Sequence, residues 1–396
     1  MTLADNGNEG EGRGCGIEAG HGRTAWVGLS GGVDSAVTAH LLREAGWLVK
    51  GVTMSLWDGR AGFSGGGGKG CYGPGEEERL ARARHVAERQ GIEHYVVPLQ
   101  EEYRQHVIEY FRREYLNGRT PNPCAHCNAC VKFGCLPDCA RALGGTSDDY
   151  FATGHYAQID RDATTGRWRL RRGADESKDQ SYFLSRLSQN QLAHTLFPLG
   201  NFTKERVREM ARAQGWGDLA DQAESQDFIE GPDYAILFQP GESRPGDFVA
   251  RDGRVLGRHR GLIHYTVGQR KGLGLGGGGI PWYVLAVDAE HNRVVVGPRE
   301  ALYSSGLVAD ALHGVAWSDW PAGPVRGRVQ IRQRHAAALA TVRVVASPTG
   351  ESPQMHVRFD EPQWAITPGQ VAAVYDGDSI LASGVIVSSV DDPSIP

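Results

Sequence analysis

Apolar positions early in the chain alternate between two periods, and the change of period divides it into strands and helices. Residues 24–29, 49–55, 94–97 and 150–152 are short apolar runs of strand character. Between them, 36–45, 76–90 and 101–115 carry apolar residues at helical spacing; in the second these are Leu80, Ala83, Val86 and Ala87. Strands regularly separated by helices predict an α/β domain, a doubly wound parallel sheet with helices on both faces. Residues 167–171 read as one arm of a hairpin, and 181–192 and 203–214 as helices. Thr203 is the expected N-cap of the second, with Glu205 suited to the positive end of its dipole.

The helical period fades after about residue 247. Alternating strands such as 282–288 and 293–297 follow, separated by glycine-rich turns, and 307–390 reads as all-β in the manner of a small barrel. Six glycines in 272–279 predict a mobile loop. The expected organisation is a disordered tail (1–23), an α/β domain (24–200), a helical connector (201–246), a small β module (247–305) and a C-terminal β-barrel (306–396).

Composition narrows the class. Hydrophobic content of 40% and charged content of 22% are ordinary for a globular protein, and no apolar run approaches a membrane span or a secretory leader. The expected compartment is the cytoplasm. A net charge of −5 attracts no polyanion globally, but two stretches carry bases without acids. Arg254, Arg258, Arg260, Arg270 and Lys271 form one; Arg326, Arg328, Arg332, Arg334 and Arg343 form the other. Such stripes suit a nucleic acid held by patches, or are simply solvated faces. Of seven cysteines, five fall at 124, 127, 130, 135 and 139. Clustered thiols in a reducing compartment point to metal or sulfur chemistry rather than disulfides.

The sharpest local signal is Gly28-Leu29-Ser30-Gly31-Gly32-Val33-Asp34-Ser35, between an apolar strand and a helix. Small residues there let backbone N–H groups approach an anion, and the helix start adds partial positive charge. Ser30 and Ser35 can donate to phosphate oxygens and Asp34 can hold Mg²⁺. No Gly-Lys-Ser/Thr ending follows, so a Walker-type γ-phosphate transfer is not indicated. The loop resembles that of the ATP pyrophosphatase superfamily, whose members cleave ATP between its α- and β-phosphates and leave AMP on a substrate oxygen.

A second signal is the run from Gly118 to Asn128, GRTPNPCAHCN. Its prolines keep it extended to about Pro123, placing Cys124 and Cys127 where a loop enters a helix. A helix start lowers a thiol's pKa, so these cysteines are expected to be reactive. C-x-x-C is equally a zinc half-site. Gly134 and Pro137 threaten the helix further on, and Cys135 and Cys139 are read as small buried apolar residues.

With ATGHYA (152–157), KDQSYFL (178–184), FPLGN (197–201), ESQDF (224–228), YTVGQRKGLG (265–274) and TPGQ (367–370), these two motifs stand in the order seen in bacterial tRNA-specific 2-thiouridylases. The chain resembles that family over about 24–390. The resemblance implies ATP-dependent 2-thiolation of the wobble uridine of tRNA, with ATP and Mg²⁺ as cofactors. The implied partners are the tRNA anticodon loop and a sulfur-donor protein. It places Gly28 to Ser35, Met54 and Gly154 around ATP, Asn122, Pro123 and Cys124 against the target base, and Cys127 as nucleophile. Lys178, Asp179, Gln180, Arg332, Gln333 and Arg334 fall at tRNA-contacting positions. His155 is read as packing near the nucleotide, and His126 as a possible tuner of thiol pKa.

One departure matters. Much of the family has a second catalytic cysteine two positions beyond the Asp of ESQD; here that position is Ile229, and no cysteine follows Cys139. Two schemes remain open. One of Cys124 and Cys127 can carry a persulfide that the other attacks, leaving a disulfide to be reduced, or, with Cys71 of Gly70-Cys71-Tyr72-Gly73, they can hold a [4Fe–4S] cluster. Cys130 is nearer in sequence but is expected to face away. The alternatives to this enzyme are another ATP pyrophosphatase or a non-catalytic tRNA-binding relative. Segments 221–233 and 272–279 are candidates to close the site.

Overall fold

A computed structural model describes residues 17–60, 63, 70–222, 227–231, 233–276, 281–346 and 352–391. The first unit alternates strand and helix: β1 (Thr24–Gly28), α1 (Val33–Glu44), β2 (Leu48–Ser55), β3 (Gly70–Tyr72), α2 (Glu76–Gln90) and β4 (His94–Pro98). Two long helical stretches follow, α3 over 100–116 and α4 over 123–142. Then come β5 (Tyr150–Ala152), the hairpin β6 (Ala157–Arg161) and β7 (Trp168–Arg172), α5 (Ser181–Leu184), α6 (Gln189–Ala193), β8 (Thr195–Leu196) and α7 (Lys204–Ala213).

Strands β4-β2-β1-β5-β8 form one parallel sheet. Alternation along β1 assigns its faces. Ala25 and Val27 pack with α1, α2 and α7, while Trp26 packs with α3 and α4 on the other side. Both faces are therefore covered, as the runs of apolar strand residues predict.

Helices α3 and α4 each contain a π-helical turn, at Arg104–Ile108 and Asn128–Cys135. Each turn inserts an extra residue, so side chains before and after it face different directions. Pro137 falls within the first turn of the α-helical segment Leu136–Ala142 and does not break α4. The expected helix over 181–192 is instead two short helices, because Ser188 starts a fresh one with a complete capping box. Thr203 caps α7 as expected, its side chain accepting from Arg206 N. Residues 17–23 of the expected tail pack on the sheet's first helix, with Trp47 Nε1 donating to Glu18 O at 2.9 Å and Gly20 N to Ala45 O at 2.8 Å. Residues 1–16 lie outside the described residues.

Beyond a short helix α8 (Gly217–Ala220) and strand β9 (Asp227–Ile229), the chain is β-rich. Strands β10 (Gly246–Ala250), β11 (Val255–His259), β12 (Tyr283–Asp288) and β13 (Arg293–Gly297) make the small module. Leu273 is buried in its core beside Phe248 and Tyr265, which anchors the base of the glycine-rich loop; 277–279 lie outside the described residues. The last unit, β14 (Tyr303–Gly314), β15 (Val325–Gln330), β16 (Ala338–Val345), β17 (Gln354–Trp364), β18 (Val371–Asp376) and β19 (Ser379–Val390), closes into a six-stranded barrel through β14–β19 pairing. Hairpin β6–β7 from the first unit extends this barrel sheet by pairing Arg171 with Ser379. No helix among the described residues is long and apolar enough to cross a membrane.

The barrel also grips the loop that leads into α4. Gln370 Nε2 donates to Thr120 O at 2.9 Å and to Pro121 O at 3.0 Å, and Thr120 N donates to Pro368 O at 2.8 Å. Gly369, at φ +92°, lies so close that a Cβ would meet Thr120 O at 2.8 Å. From the small module, Thr266 Oγ1 accepts from Thr120 Oγ1 at 3.2 Å. Gln370→Ala removes two donated bonds to half-buried carbonyls. It is expected to lower stability by about 1–3 kcal/mol, read as a lower denaturant midpoint with an unchanged slope; an unaltered midpoint would show the clamp to be passive.

Candidate active site

The turn after β1 is organised by one hydroxyl. Ser35 Oγ donates to Gly32 O at 3.0 Å and lies 3.2 Å from both Ser30 N and Ser30 Oγ. Leu29 and Val33 bury their side chains in the core, so they can offer only backbone groups to a ligand, as Gly28, Gly31 and Gly32 must. Met54 is half-buried near the carboxyl end of β2, on the α3/α4 side of the sheet.

Asp34 is already paired. Both its oxygens accept from Lys204 Nζ, at 2.8 and 2.7 Å, and Oδ1 also accepts from Tyr156 OH at 2.8 Å. The expectation of Asp34 as a Mg²⁺ ligand therefore meets a carboxylate that an ammonium already neutralises. Gly154 sits against it, where a Cβ would lie 2.8 Å from Asp34 C and Cβ. Lys204 and Tyr156 were not singled out from sequence. The available signal was a lysine at the first position of α7, where its charge opposes the helix dipole and so requires a local acid.

The thiol helix starts on Asn122, whose Oδ1 accepts from Ala125 N at 3.0 Å while its side chain also bonds Tyr182 OH. Asn122 is buried and serves as a cap, and Pro123 occupies the first turn. Cys124 and Cys127 then pack side by side against the core shared with Tyr103 and Ile229. Burial pushes both thiols up to about 12, which reverses the expected lowering. The helix end offers ~0.3–1 kcal/mol toward thiolate, whereas a shift of this size opposes it by a few kcal/mol. Desolvation wins. The one nearby charge that eases it is Lys132, which also acts on His155. Lys132 is thus near both the thiols and His155 of the 152–157 loop. His155 is buried and held neutral, with Nδ1 2.7 Å from Thr153 Oγ1.

Cys71 joins this group from another segment. Strand β3 pairs in parallel with β9, Gly70 opposite Asp227 and Tyr72 opposite Ile229. Glu230, buried at the end of β9, accepts from Gly75 N at 3.0 Å and pairs with Arg79, whose Nη2 donates to Cys71 O at 2.8 Å. Exposed Cys71 is close enough for its charge to raise both Cys124 and Cys127. Ile229, where much of the family has a cysteine, is buried beneath. Residues 224–226 of the ESQDF motif lie outside the described residues. Cys130 turns elsewhere, its sulfur 3.7 Å from His126 Nε2. Cys135 and Cys139 are half-buried and share one side of α4.

The expected tRNA contacts divide. Asp179 is buried, its carboxylate accepting from Arg172 Nη1 (2.6 Å), Gly173 N (3.1 Å) and Ser181 N (3.0 Å), so that side chain is committed internally. Gln180 Oε1 accepts from Tyr156 N at 3.0 Å, and Lys178 is half-buried beside it. Gln333 Nε2 donates to Asp179 O at 3.1 Å, which joins the two predicted segments to each other. Arg332 lies over the Trp364 ring and donates to Trp364 O at 3.0 Å, whereas Arg334 is exposed. The basic stripes are partly neutralised, Arg326 by Asp360 and Arg258 by Asp247.

Comparison with known proteins follows the same divisions. A family model described as a tRNA methyl transferase HUP domain matches residues 23–230, a tRNA methyl transferase PRC-barrel domain 235–298, and an aminomethyltransferase beta-barrel domain 311–386. A tRNA-specific 2-thiouridylase MnmA from Heliobacterium modesticaldum is 44% identical over 376 residues, covering 93% of each chain. Its counterpart from Chloroflexus aggregans is 47% identical over 368 residues, covering 91% of this chain and 97% of its own. A U34-tRNA thiolase NcsA from Methanococcus maripaludis, solved with its [4Fe-4S] cluster, aligns over 57% of this chain and 65% of its own at TM-score 0.33 and 17% identity, too distant to carry an argument. Matched in three consecutive domains and along nearly its whole length, the chain belongs to the tRNA-specific 2-thiouridylase family.

Proposed function

We propose that the protein activates the wobble uridine of tRNA with ATP and replaces its C2 oxygen with sulfur. The supporting observation is the convergence of Cys124, Cys127 and Cys71 beside Lys132, whose charge also reaches the loop packed on the phosphate turn. In the first step the uridine O2 attacks the α-phosphorus. The O2–Pα bond forms, the bond to the β-phosphate bridge breaks, pyrophosphate leaves and N3 gives up its proton. Backbone N–H groups of Gly31 and Gly32 and the start of α1 stabilise the phosphate charge, with Mg²⁺ bound by the nucleotide itself. Sulfur, as hydrosulfide or as the terminal sulfur of a cysteine persulfide, then attacks C2, the C2–O2 bond breaks and AMP departs with the former O2; in the persulfide case the second thiol cleaves the S–S bond and the resulting disulfide is restored by an external thiol reductant. An anticodon-loop base is already single-stranded, so turning it into the site costs little. Exposed Arg334 and half-buried Lys178 suit the tRNA backbone.

The sulfur route rests on the same thiols. Three cysteines from two segments match the donor set of a [4Fe–4S] cluster with one iron left without a protein ligand. Cys71, Cys124 and Cys127 would hold it. Bound there, the cluster would supply inorganic sulfur delivered by a donor protein. The protein's contribution is a partly buried thiol pair, Lys132 nearby, and the β3–β9 pair holding the third ligand.

Two outcomes test this. Pyrophosphate release from ATP should depend on unmodified tRNA, and Cys127→Ala should retain it while losing 2-thiouridine at least a hundredfold; binding of tRNA without release would mark a non-catalytic relative. Anaerobically purified protein should contain about four irons and four sulfides per chain, lost together with thiolation in Cys71→Ser. Thiolation that persists in iron-free Cys71→Ser would instead assign sulfur transfer to a Cys124–Cys127 persulfide pair.

A further inference from the structure

Beside the thiol pocket, on the other side of the same helix, a second set of donors stands together. His106 projects from the π-helical turn of α3; His126 and Cys130, four residues apart, share a side of α4. One donor atom from each of the three lies within 4.8 Å of the others. The Cys130 sulfur is 3.7 Å from His126 Nε2. Zn–S and Zn–N bonds of about 2.3 and 2.0–2.1 Å at a tetrahedral angle put sulfur and nitrogen about 3.6 Å apart, so this pair already has the edge length of a zinc site. The His126 ring is fixed in plane by stacking on Tyr110, centroids 4.2 Å apart at 14°. His106 is exposed and the other two are half-buried, which leaves an open approach for an ion and a fourth, water position.

We infer that His106, His126 and Cys130 form a Cys-His₂ site for a tetrahedral divalent metal, with Zn²⁺ as the matching ion, separate from Cys71, Cys124 and Cys127. The donor chemistry selects it: two imidazoles and one thiolate suit a borderline ion, and no carboxylate in the set favours Mg²⁺ or Ca²⁺. An ion here would cross-link α3 to α4 at His126, the residue between Cys124 and Cys127, and so fix the helix that presents both thiols. The site stands whether or not those thiols carry sulfur.

Co²⁺ is the probe, added to full-length protein carrying Cys71→Ser, Cys124→Ser and Cys127→Ser so that the first thiol set cannot respond. One equivalent should give a near-ultraviolet thiolate-to-cobalt band and the visible absorption of a four-coordinate ion, both abolished by one equivalent of Zn²⁺. Adding Cys130→Ser should remove the near-ultraviolet band, and His106→Gln should weaken Co²⁺ binding at least tenfold. A band that survives both changes, or no band at all, overturns the site. Should the triple variant fail to fold, His106→Gln in the otherwise unchanged chain still decides. His106 is exposed, and this substitution should lower bound zinc by one equivalent; unchanged zinc content overturns the proposal.

Discussion

Gln370 reaches back 250 positions to donate to the carbonyls of Thr120 and Pro121, and Pro368 O accepts from Thr120 N in return. These three bonds pin an extended, proline-containing segment that would otherwise have no lattice of its own backbone partners. Everything the thiol helix does follows from that constraint. With its lead-in held by the barrel and Asn122 capping it, α4 packs Cys124 and Cys127 against the α3-side core. Thr266 and Tyr182 add grips from the small module and from the KDQSYFL segment. Motifs far apart in sequence thus share one task, which is to hold the thiol loop.

The physical consequence is a pair of partly buried thiols whose burial opposes ionisation. Burial holds both thiols protonated near neutral pH. Lys132 is the charge placed to offset this. A metal would offset it more completely, since coordination takes the thiolate directly. Asp34 shows a similar arrangement at the turn after β1, where Lys204 and Tyr156 hold its carboxylate in a partly buried position.

Much of this was legible in the sequence because it depends on local pattern. The β1–turn–α1 unit, the Thr203 cap, the parallel sheet and the closing barrel follow from hydrophobic period and turn residues. What was not legible depends on pairing across the chain. The β3–β9 ladder that brings Cys71 beside Ile229 involves two three-residue strands with no periodicity to detect. The reversal of the thiol pKa required knowing how deeply α4 is buried, which a helix start alone does not reveal. The break at Ser188 was visible as a capping box but was outweighed by the apolar spacing around it. Asp179 and Arg332, read as tRNA contacts, have side chains committed to partners within their own units, Asp179 to Arg172, Gly173 and Ser181 and Arg332 to Trp364, which spacing along the chain does not reveal.

The central claim is that barrel docking, acting through Gln370, sets the thiol environment. The most direct test is the pH dependence of Cys127 alkylation by iodoacetamide in metal-free protein. Because only thiolate reacts and its pKa lies near 12, the rate should climb about tenfold per pH unit from 7 to 10 without levelling off. In Gln370→Ala the curve should flatten at a lower pH, closer to an ordinary thiol. A plateau near pH 8.5 in the unaltered protein, or identical profiles for the two, would contradict the account.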